Sequence, residues 1–135
     1  MTRPARAWLS APALLHNLQR VRHYAPGARI MAVVKANAYG HGAVEISQSL
    51  MTQGVARVAV VSLDEGIALR AAGITIPIVI LGPLFPEQIR DAITHRLTPV
   101  ISDRSLIPTL VQATASLTTP YPIHLKAETG MSRLG

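Results

Sequence analysis

The sequence predicts an α/β fold in which helices cover a sheet of parallel strands. Short apolar runs bounded by turn residues alternate with amphipathic helical patterns along the 135 residues. The apolar runs are continuous, which is typical of strands buried on both faces of a parallel sheet. Apolar types make up 49% of the residues and charged types 15%, so the chain can bury a sizeable core and is not disordered.

The predicted elements are one helix followed by strands and helices in alternation. Ser10 is a candidate N-cap for the first helix, residues 11–23, whose leucines and valine recur at helical spacing. The predicted strands cover residues 30–34, 58–61, 78–81, a short run ending at 100–101, and 121–126. The predicted helices run from residue 44 towards 54, from 64 to 72, from 86 to 95, and from a cap at Asp103 or Ser105 to about 115.

Two architectures fit this order of elements. A five-stranded doubly wound domain would be complete at about this length. A (β/α)₈ barrel of the TIM type needs roughly 250 residues, so this chain would be its first five strands. Only residues 127–135 follow the fifth predicted strand, and they contain no closing helix. We therefore expect residues 1–135 to be the N-terminal part of a barrel domain that is incomplete in this chain.

The composition argues against several classes of protein. The chain has no cysteine, which excludes disulfides, thiolate metal sites and thiol nucleophiles. Its five histidines show no metal-ligand spacing, so we expect no metal. The longest uncharged stretch, residues 71–86, is short and broken by proline and glycine, and the N-terminus has no secretory pattern. The expected location is the cytoplasm, without a membrane partner.

The basic residues do not indicate a nucleic-acid partner. Thirteen Lys and Arg against seven Asp and Glu give a net charge of +6, but the cations are scattered singly and few aromatic residues accompany them. Only Lys35 and Lys126 among those thirteen are lysine. The rarity of lysine therefore raises the question of where these two residues lie in the predicted fold.

Lys35 lies where the first predicted strand ends. Strand alternation places it on the same face as Met31 and Val33, at the carboxyl edge where α/β proteins build active sites. A part-buried lysine loses hydration and becomes a free amine that can form a Schiff base. The alternative is a lysine that extends from the strand end into solvent.

The segment after Lys35 resembles a binding loop. Tyr39, Gly40 and Gly42 lead into a helix N-terminus, and the glycines permit close backbone approach. This loop could hold a phosphate-bearing aromatic cofactor, although an ordinary tight turn would also use two glycines. Lys126 repeats the arrangement at the end of the fifth strand, with His124 on the same face and Arg133 in the following loop. The alternative there is a surface pair of Lys126 with Glu128 and a solvated Arg133.

Two blocks of the sequence resemble bacterial alanine racemase, a pyridoxal-phosphate enzyme. Residues 32–43, AVVKANAYGHGA, are similar to the cofactor-lysine signature of that family, and residues 126–135, KAETGMSRLG, to its second block. Arg3-Pro4 and the segment at residues 15–18 also fit.

The resemblance implies a role for each matching residue. Lys35 would form the aldimine with pyridoxal 5'-phosphate and exchange the α-proton on one face of the substrate. Tyr39 would help to hold the phosphate, and Arg133 would reach the phenolic oxygen of the cofactor and the substrate carboxylate. Lys126 matches a lysine that is often carbamylated in the family, and the carbamate would fix Arg133. Both lysines of the chain would then take part in the chemistry of the site.

The same resemblance implies the activity and its limits. The full enzyme is a cytoplasmic homodimer that interconverts L- and D-alanine for peptidoglycan through a carbanion stabilised by the cofactor. Its second base is a tyrosine from a C-terminal β domain of the partner subunit, and this sequence has no counterpart of that motif. We therefore expect this chain to be inactive alone. The alternatives are a serine or broad-specificity racemase, and a non-catalytic module that binds pyridoxal phosphate or has a doubly wound fold.

Overall fold

The computed structural model describes residues 8–135 as a sheet of five strands with helices between them. Arg3 and Pro4 therefore lie outside the described residues. The strands are β1 (Met31–Val33), β2 (Arg57–Val60), β3 (Ile78–Ile80), β4 (Leu97–Ile101) and β5 (His124–Leu125). The helices are α1 (Ala11–Tyr24), α2 (Lys35–Tyr39), α3 (Ala43–Thr52), α4 (Leu63–Ala71), α5 (Ile89–Thr94) and α6 (Ile107–Thr114).

The strand order decides between the two predicted architectures. Neighbours in the sheet follow the chain, β1-β2-β3-β4-β5, and every pair is parallel. A doubly wound sheet reverses its strand order at a switch point, whereas a barrel adds each strand beside the previous one. Right-handed crossovers of consecutive order place all helices on one face. The sheet is therefore five consecutive strands of a barrel, as predicted.

The main core lies between the sheet and this helical layer. Val58, Ile78 and Leu97 occupy matching register positions on neighbouring strands and are completely buried. They pack in one cluster with helical residues such as Leu69 and Ile89. The apolar runs of the sequence thus form strands, and one face of these strands packs against the helices.

The opposite face of β1 differs from the prediction of a strand buried on both sides. Met31 and Val33 are each 37% exposed, whereas Val34, on the outer face, is buried. Alternation along the strand places Met31 and Val33 on the face away from the helices. That face is the concave interior of the curved sheet, where Ala59 and Val79 of the central strands are buried while β1 stays partly exposed.

Side-chain caps lie at the helix starts that the sequence predicted. The Ser10 hydroxyl accepts a hydrogen bond from the Ala13 N–H at 3.3 Å, and Asp103 accepts one from Ser105 N–H at 2.8 Å. The predicted helices at residues 86–95 and 103–115 each begin with a 3₁₀ turn, Pro86–Gln88 and Arg104–Leu106.

The fifth predicted strand is much shorter than expected. Tyr121 lies outside β5, and its hydroxyl donates to the Leu97 carbonyl at 2.7 Å, with the Ala92 carbonyl at 3.2 Å. Burial raises the pKa of Tyr121, and the charge of Arg70 opposes that shift. The approach to β5 is therefore held by a side chain rather than by strand pairing.

Candidate functional site

A pocket of about 440 Å³ lies at the carboxyl edge of the sheet and contains Lys35 and Arg133. The segments that follow β1, β2 and β3 line it together with the chain after β5. Its lining residues are Lys35, Val61, Ser62, Leu63, Leu81, Gly82, Pro83, Phe85, Gln88, Arg133 and Leu134. Two residues far apart in the sequence thus share one pocket at the edge where barrels carry their active sites.

Lys35 is the first residue of α2, and the residues after it form a left-handed turn. Ala36, Asn37 and Ala38 have φ near +50° and ψ near +50°, and the φ of Tyr39 is 55°. Each such residue costs roughly 1–2 kcal/mol in an L-amino-acid chain, and glycine is the usual choice there. The backbone directly after Lys35 is therefore strained, as backbones at functional sites often are.

Tertiary hydrogen bonds hold this left-handed turn in place. The Ala36 N–H donates to Glu65 Oε1 at 2.6 Å, and the Ala43 N–H donates to Asn37 Oδ1 at 2.9 Å. Asn tolerates positive φ better than most residues, and its side chain here also serves the first turn of α3. The turn is thus fixed from α4 on one side and from α3 on the other.

Glu65 connects the turn to the neighbouring loop. Its Oε2 accepts hydrogen bonds from the Val61 N–H at 2.8 Å and the Ser62 N–H at 3.2 Å, while Ser62 Oγ accepts from the Glu65 N–H at 3.3 Å. Burial raises the pKa of Glu65, but these backbone hydrogen bonds and the charge of Lys35 bring it below its ordinary value of 4.5. Glu65 is therefore held as an ionised acceptor.

The predicted helix from residue 64 to 72 did not include a role for Glu65 outside that helix. The missed signal was the pattern Ser62-x-x-Glu65, which is a capping box and does form here. The pattern predicts the bonds within α4, but the link to Ala36 depends on the packing of two loops. That link could not be found from the sequence.

Gly82 allows two loops to approach closely at the pocket wall. A β-carbon on Gly82 would lie 2.3 Å from the Val61 carbonyl oxygen, and the Gly82 N–H donates to that same oxygen at 3.1 Å. Sequence analysis used this glycine only as evidence against a membrane span. Its role is to bring the β3 loop against the β2 loop.

Tyr39 lines a different cavity from Lys35. This second cavity, of about 710 Å³, lies between α1, β1 and α3, and the Tyr39 side chain is 60% exposed. The Gly40 and Gly42 loop does adopt positive φ at both glycines, as a tight turn before a helix requires. The structure thus brings together Lys35 and Arg133 but does not place Tyr39 with them.

Lys126 and its neighbours continue the concave face at β5. The Lys126 N–H donates to the Ile101 carbonyl at 2.9 Å, and the side chain is half-buried but does not line the Lys35 pocket. Arg57 Nη1 lies 3.0 Å from His124 Nε2, so β2 and β5 are joined across that face. His124, on the same face as Lys126, therefore makes a polar contact with a residue of β2.

Glu128 organises the loop that carries Arg133. Its Oε1 accepts the Gly130 N–H at 2.5 Å, and hydrogen bonds from the backbone of Ser132 and Gly130 lower its pKa. Arg133 itself is exposed at the pocket rim. The carboxylate thus shapes the backbone between Lys126 and Arg133.

Within residues 8–135, no group of three or more His, Cys, Asp or Glu side chains could hold a metal ion. No helix in the same range is both long and apolar enough to cross a membrane.

Comparisons with known proteins point to one family. The profile of the family "Alanine racemase, N-terminal domain" matches residues 9–135. An alanine racemase of Carboxydothermus hydrogenoformans is 42% identical over 133 residues, which cover 98% of this chain and 36% of that protein. The chain therefore spans about a third of the length of such relatives.

Solved structures give the same result. The alanine racemase of E. faecalis has a TM-score of 0.86 at 35% identity, over 94% of this chain and 35% of that one. A histidine racemase of Leuconostoc mesenteroides has a TM-score of 0.84 at 33% identity, over 94% of this chain and 34% of that one. Racemases named for two different amino acids thus share this fold with the chain.

Proposed function

The chain belongs to the alanine racemase family, and we propose that it supplies the cofactor lysine of an enzyme that interconverts L- and D-alanine. The observation that carries the proposal is the pocket that Lys35 and Arg133 both line. Both residues lie in the sequence blocks that resemble the family. The proposed cofactor is pyridoxal 5'-phosphate.

The residues of the pocket fit that cofactor. A volume of about 440 Å³ is in the usual range for a small-molecule site. Its lining includes a primary amine that would bind the aldehyde, a guanidinium that would bind an anionic oxygen, and the apolar side chain of Phe85. When bound, the pyridine ring would take up the electron pair released when an amino acid loses its α-proton.

The proposed roles of this chain's residues come from the family resemblance, and the shared pocket supports those of Lys35 and Arg133. Lys35 binds the cofactor and moves the α-proton on one face of the substrate, as a part-buried amine can. Arg133 orients a carboxylate or phenolic oxygen through its fork of N–H donors. Tyr39 as a phosphate ligand and Lys126 as a carbamate that steadies Arg133 rest on the family resemblance alone.

The rest of the proposal concerns the whole protein. We propose that residues 1–135 are the first five strands of a (β/α)₈ cofactor domain. The acid or base for the second substrate face would then come from a tyrosine in another domain of a partner subunit, in a homodimer. The product would be cytoplasmic D-alanine for peptidoglycan.

Borohydride trapping tests the cofactor site directly. The chain is incubated with pyridoxal phosphate, reduced, digested and mapped by mass spectrometry. We expect one main adduct on Lys35 and little on Lys126, and its loss in Lys35→Arg, with Lys126→Arg as the matched control. Equal labelling of both lysines in a folded chain would contradict the proposal and favour a non-catalytic α/β module.

A chimera tests the activity. Residues 9–135 replace the corresponding part of the E. faecalis alanine racemase, and the conversion of L- to D-alanine is measured. We expect a racemase whose activity disappears in Lys35→Ala. A folded chimera that binds the cofactor without racemising alanine would contradict the proposed activity.

A second candidate is a racemase of another amino acid. The histidine racemase of similar fold supports this alternative, and a serine or broad-specificity enzyme is a further form of it. Assays of the native protein with alanine, serine and histidine distinguish these substrates. Turnover of alanine below that of either other amino acid would favour the second candidate.

A further inference from the structure

We propose that Glu65 is a positioning residue for Lys35, because its carboxylate ties the left-handed turn after Lys35 to the loop between β2 and α4. The proposal rests on the proposed function, in that Lys35 is taken as the cofactor lysine. Glu65 does not line the pocket and touches no proposed ligand. It acts through the backbone.

The hydrogen bonds accepted by Glu65, called the tie below, join two loops that both line the pocket. Glu65 Oε1 accepts the Ala36 N–H at 2.6 Å, and Oε2 accepts the Val61 and Ser62 N–H groups at 2.8 and 3.2 Å. Lys35 belongs to the first loop, and Val61 and Ser62 to the second. One side chain therefore sets the distance between two walls of the pocket.

The bond to Ala36 acts on the orientation of Lys35 itself. The Ala36 N–H belongs to the planar peptide unit that also contains the Lys35 carbonyl. Holding this plane fixes ψ of Lys35 and so the direction of its Cα–Cβ bond relative to β1. Since Ala36 has φ 50°, release of the plane would let this residue return to the favoured negative φ. Lys35 would then no longer point consistently into the pocket.

Only a carboxylate meets all three donors. An ionised Glu accepts at both oxygens and has about four lone-pair sites, whereas Gln has one acceptor oxygen and an NH₂ donor. In Glu65→Gln the amide oxygen can accept hydrogen bonds either from Ala36 or from Val61 and Ser62. The NH₂ group then faces the remaining N–H donors and cannot accept from them. The substitution therefore keeps the shape of the side chain and breaks the tie.

The matched control is Asp64→Asn. Asp64 lies in the same first turn of α4, and the substitution removes the same charge from the helix N-terminus. Asp64 does not line the pocket, so this control reports what a purely structural change in α4 does.

The experiment compares the full chain with E65Q and D64N in two measurements. The first is hydrogen exchange at the Ala36 amide, which we expect to be about tenfold faster in E65Q, as loss of a charge-assisted hydrogen bond implies. The second is the ratio of borohydride-trapped pyridoxal phosphate on Lys35 to that on Lys126. We expect this ratio to fall several-fold in E65Q and to stay near the wild-type value in D64N. A general loss of stability would not select one lysine.

The outcomes separate this inference from the proposed function. No selective Lys35 adduct in the wild type would overturn the cofactor proposal, while Ala36 exchange would still test the tie. A selective wild-type adduct whose ratio is equal in E65Q and D64N would overturn the positioning role. If E65Q does not fold, Glu65→Asp replaces it, since the shorter carboxylate keeps its charge but cannot span both loops. An unchanged ratio in that variant would also overturn the proposal.

Discussion

At the residue scale, single side chains in this protein connect segments that the sequence keeps far apart. Arg70 donates hydrogen bonds to the carbonyls of Ile74, Ile76, His95 and Arg96 and so fastens the ends of two helix-to-strand connections. Glu65 does the same with N–H groups at the opposite edge of the sheet. In both cases a charged group satisfies backbone atoms that loops leave unpaired.

The ionisation of Glu65 predicts how stability depends on pH. Because folding lowers the pKa of Glu65 below 4.5, its carboxylate stabilises the folded state above that value. This stabilisation is lost as pH falls through the lower pKa of the folded state. We expect the difference in unfolding free energy between wild type and E65Q to be constant near neutral pH and to shrink below 4.5.

Urea denaturation at a series of pH values measures this difference, with D64N as the control in which the hydrogen bond from Ala36 to Glu65 is intact. A difference between wild type and E65Q that is the same at acid and neutral pH would contradict the assigned hydrogen bonds.

Gly82 gives a second prediction at this scale. Its substitution by alanine would place a methyl group against the Val61 carbonyl oxygen, which belongs to backbone and cannot rotate away. We expect Gly82→Ala to lower the free energy of unfolding by roughly 1–3 kcal/mol. Thermal and urea unfolding measure the loss.

The control for Gly82 is Gly66→Ala. A β-carbon there meets the end of the flexible Leu97 side chain at 2.9 Å, and alanine favours the helix. This variant should lose less stability than Gly82→Ala. The opposite order would show that the loops do not pack as described.

At the element scale, the left-handed segment α2 is the least expected part of the fold. Sequence reasoning identified a glycine-containing loop after Lys35, but it did not predict positive φ at Ala36, Asn37 and Ala38. Alanine has no local preference for that conformation. It forms because Asn37, Glu65 and the buried Ala38 side chain hold it from outside.

Asn37 tests that explanation. Asn37→Ala removes the acceptor for the Ala43 N–H and a residue that tolerates positive φ. We expect a loss of about 1–2 kcal/mol in unfolding free energy, measured by urea denaturation. Asn17→Ala on the exposed side of α1 is the control and should change stability by less than about 0.5 kcal/mol. Equal effects of the two substitutions would contradict a special role for α2.

The other elements were predictable because their signals are local. Ser10 and Asp103 cap the helices that follow them, and the apolar runs at β2 and β3 are strands. β5 was predicted too long, since the side chain of Tyr121 turns to carbonyls of the α5–β4 region instead of continuing the strand. Such a competing tertiary contact leaves no periodic signal.

At the scale of the whole molecule, the sheet formed within residues 8–135 has unpaired edges at β1 and β5 and a partly open concave face. Met31 and Val33 are exposed on that face, and Leu125 is 81% exposed at the other end. Exposed strand edges and apolar faces favour association. We expect the isolated 135-residue chain to self-associate.

Sedimentation velocity over a range of concentrations tests this expectation. Val33→Lys on the concave face should weaken association more than Val111→Lys, which places the same change on a 64% exposed position of α6. A wild-type chain that remains monomeric and melts cooperatively would contradict the prediction.

The sequence by itself determined the α/β class, the order of elements, the family and the two lysines at the carboxyl edge. It could do so because strand runs, caps and the blocks around Lys35 and Lys126 are carried by neighbouring residues. The resemblance already implied that Lys35 and Arg133 serve one cofactor, but tertiary structure alone decided that Tyr39 faces another cavity. It also decided that Glu65 serves the backbone beside Lys35. These arrangements depend on how separate loops meet in space, because the hydrogen bonds and contacts that fix them join residues with no shared local pattern.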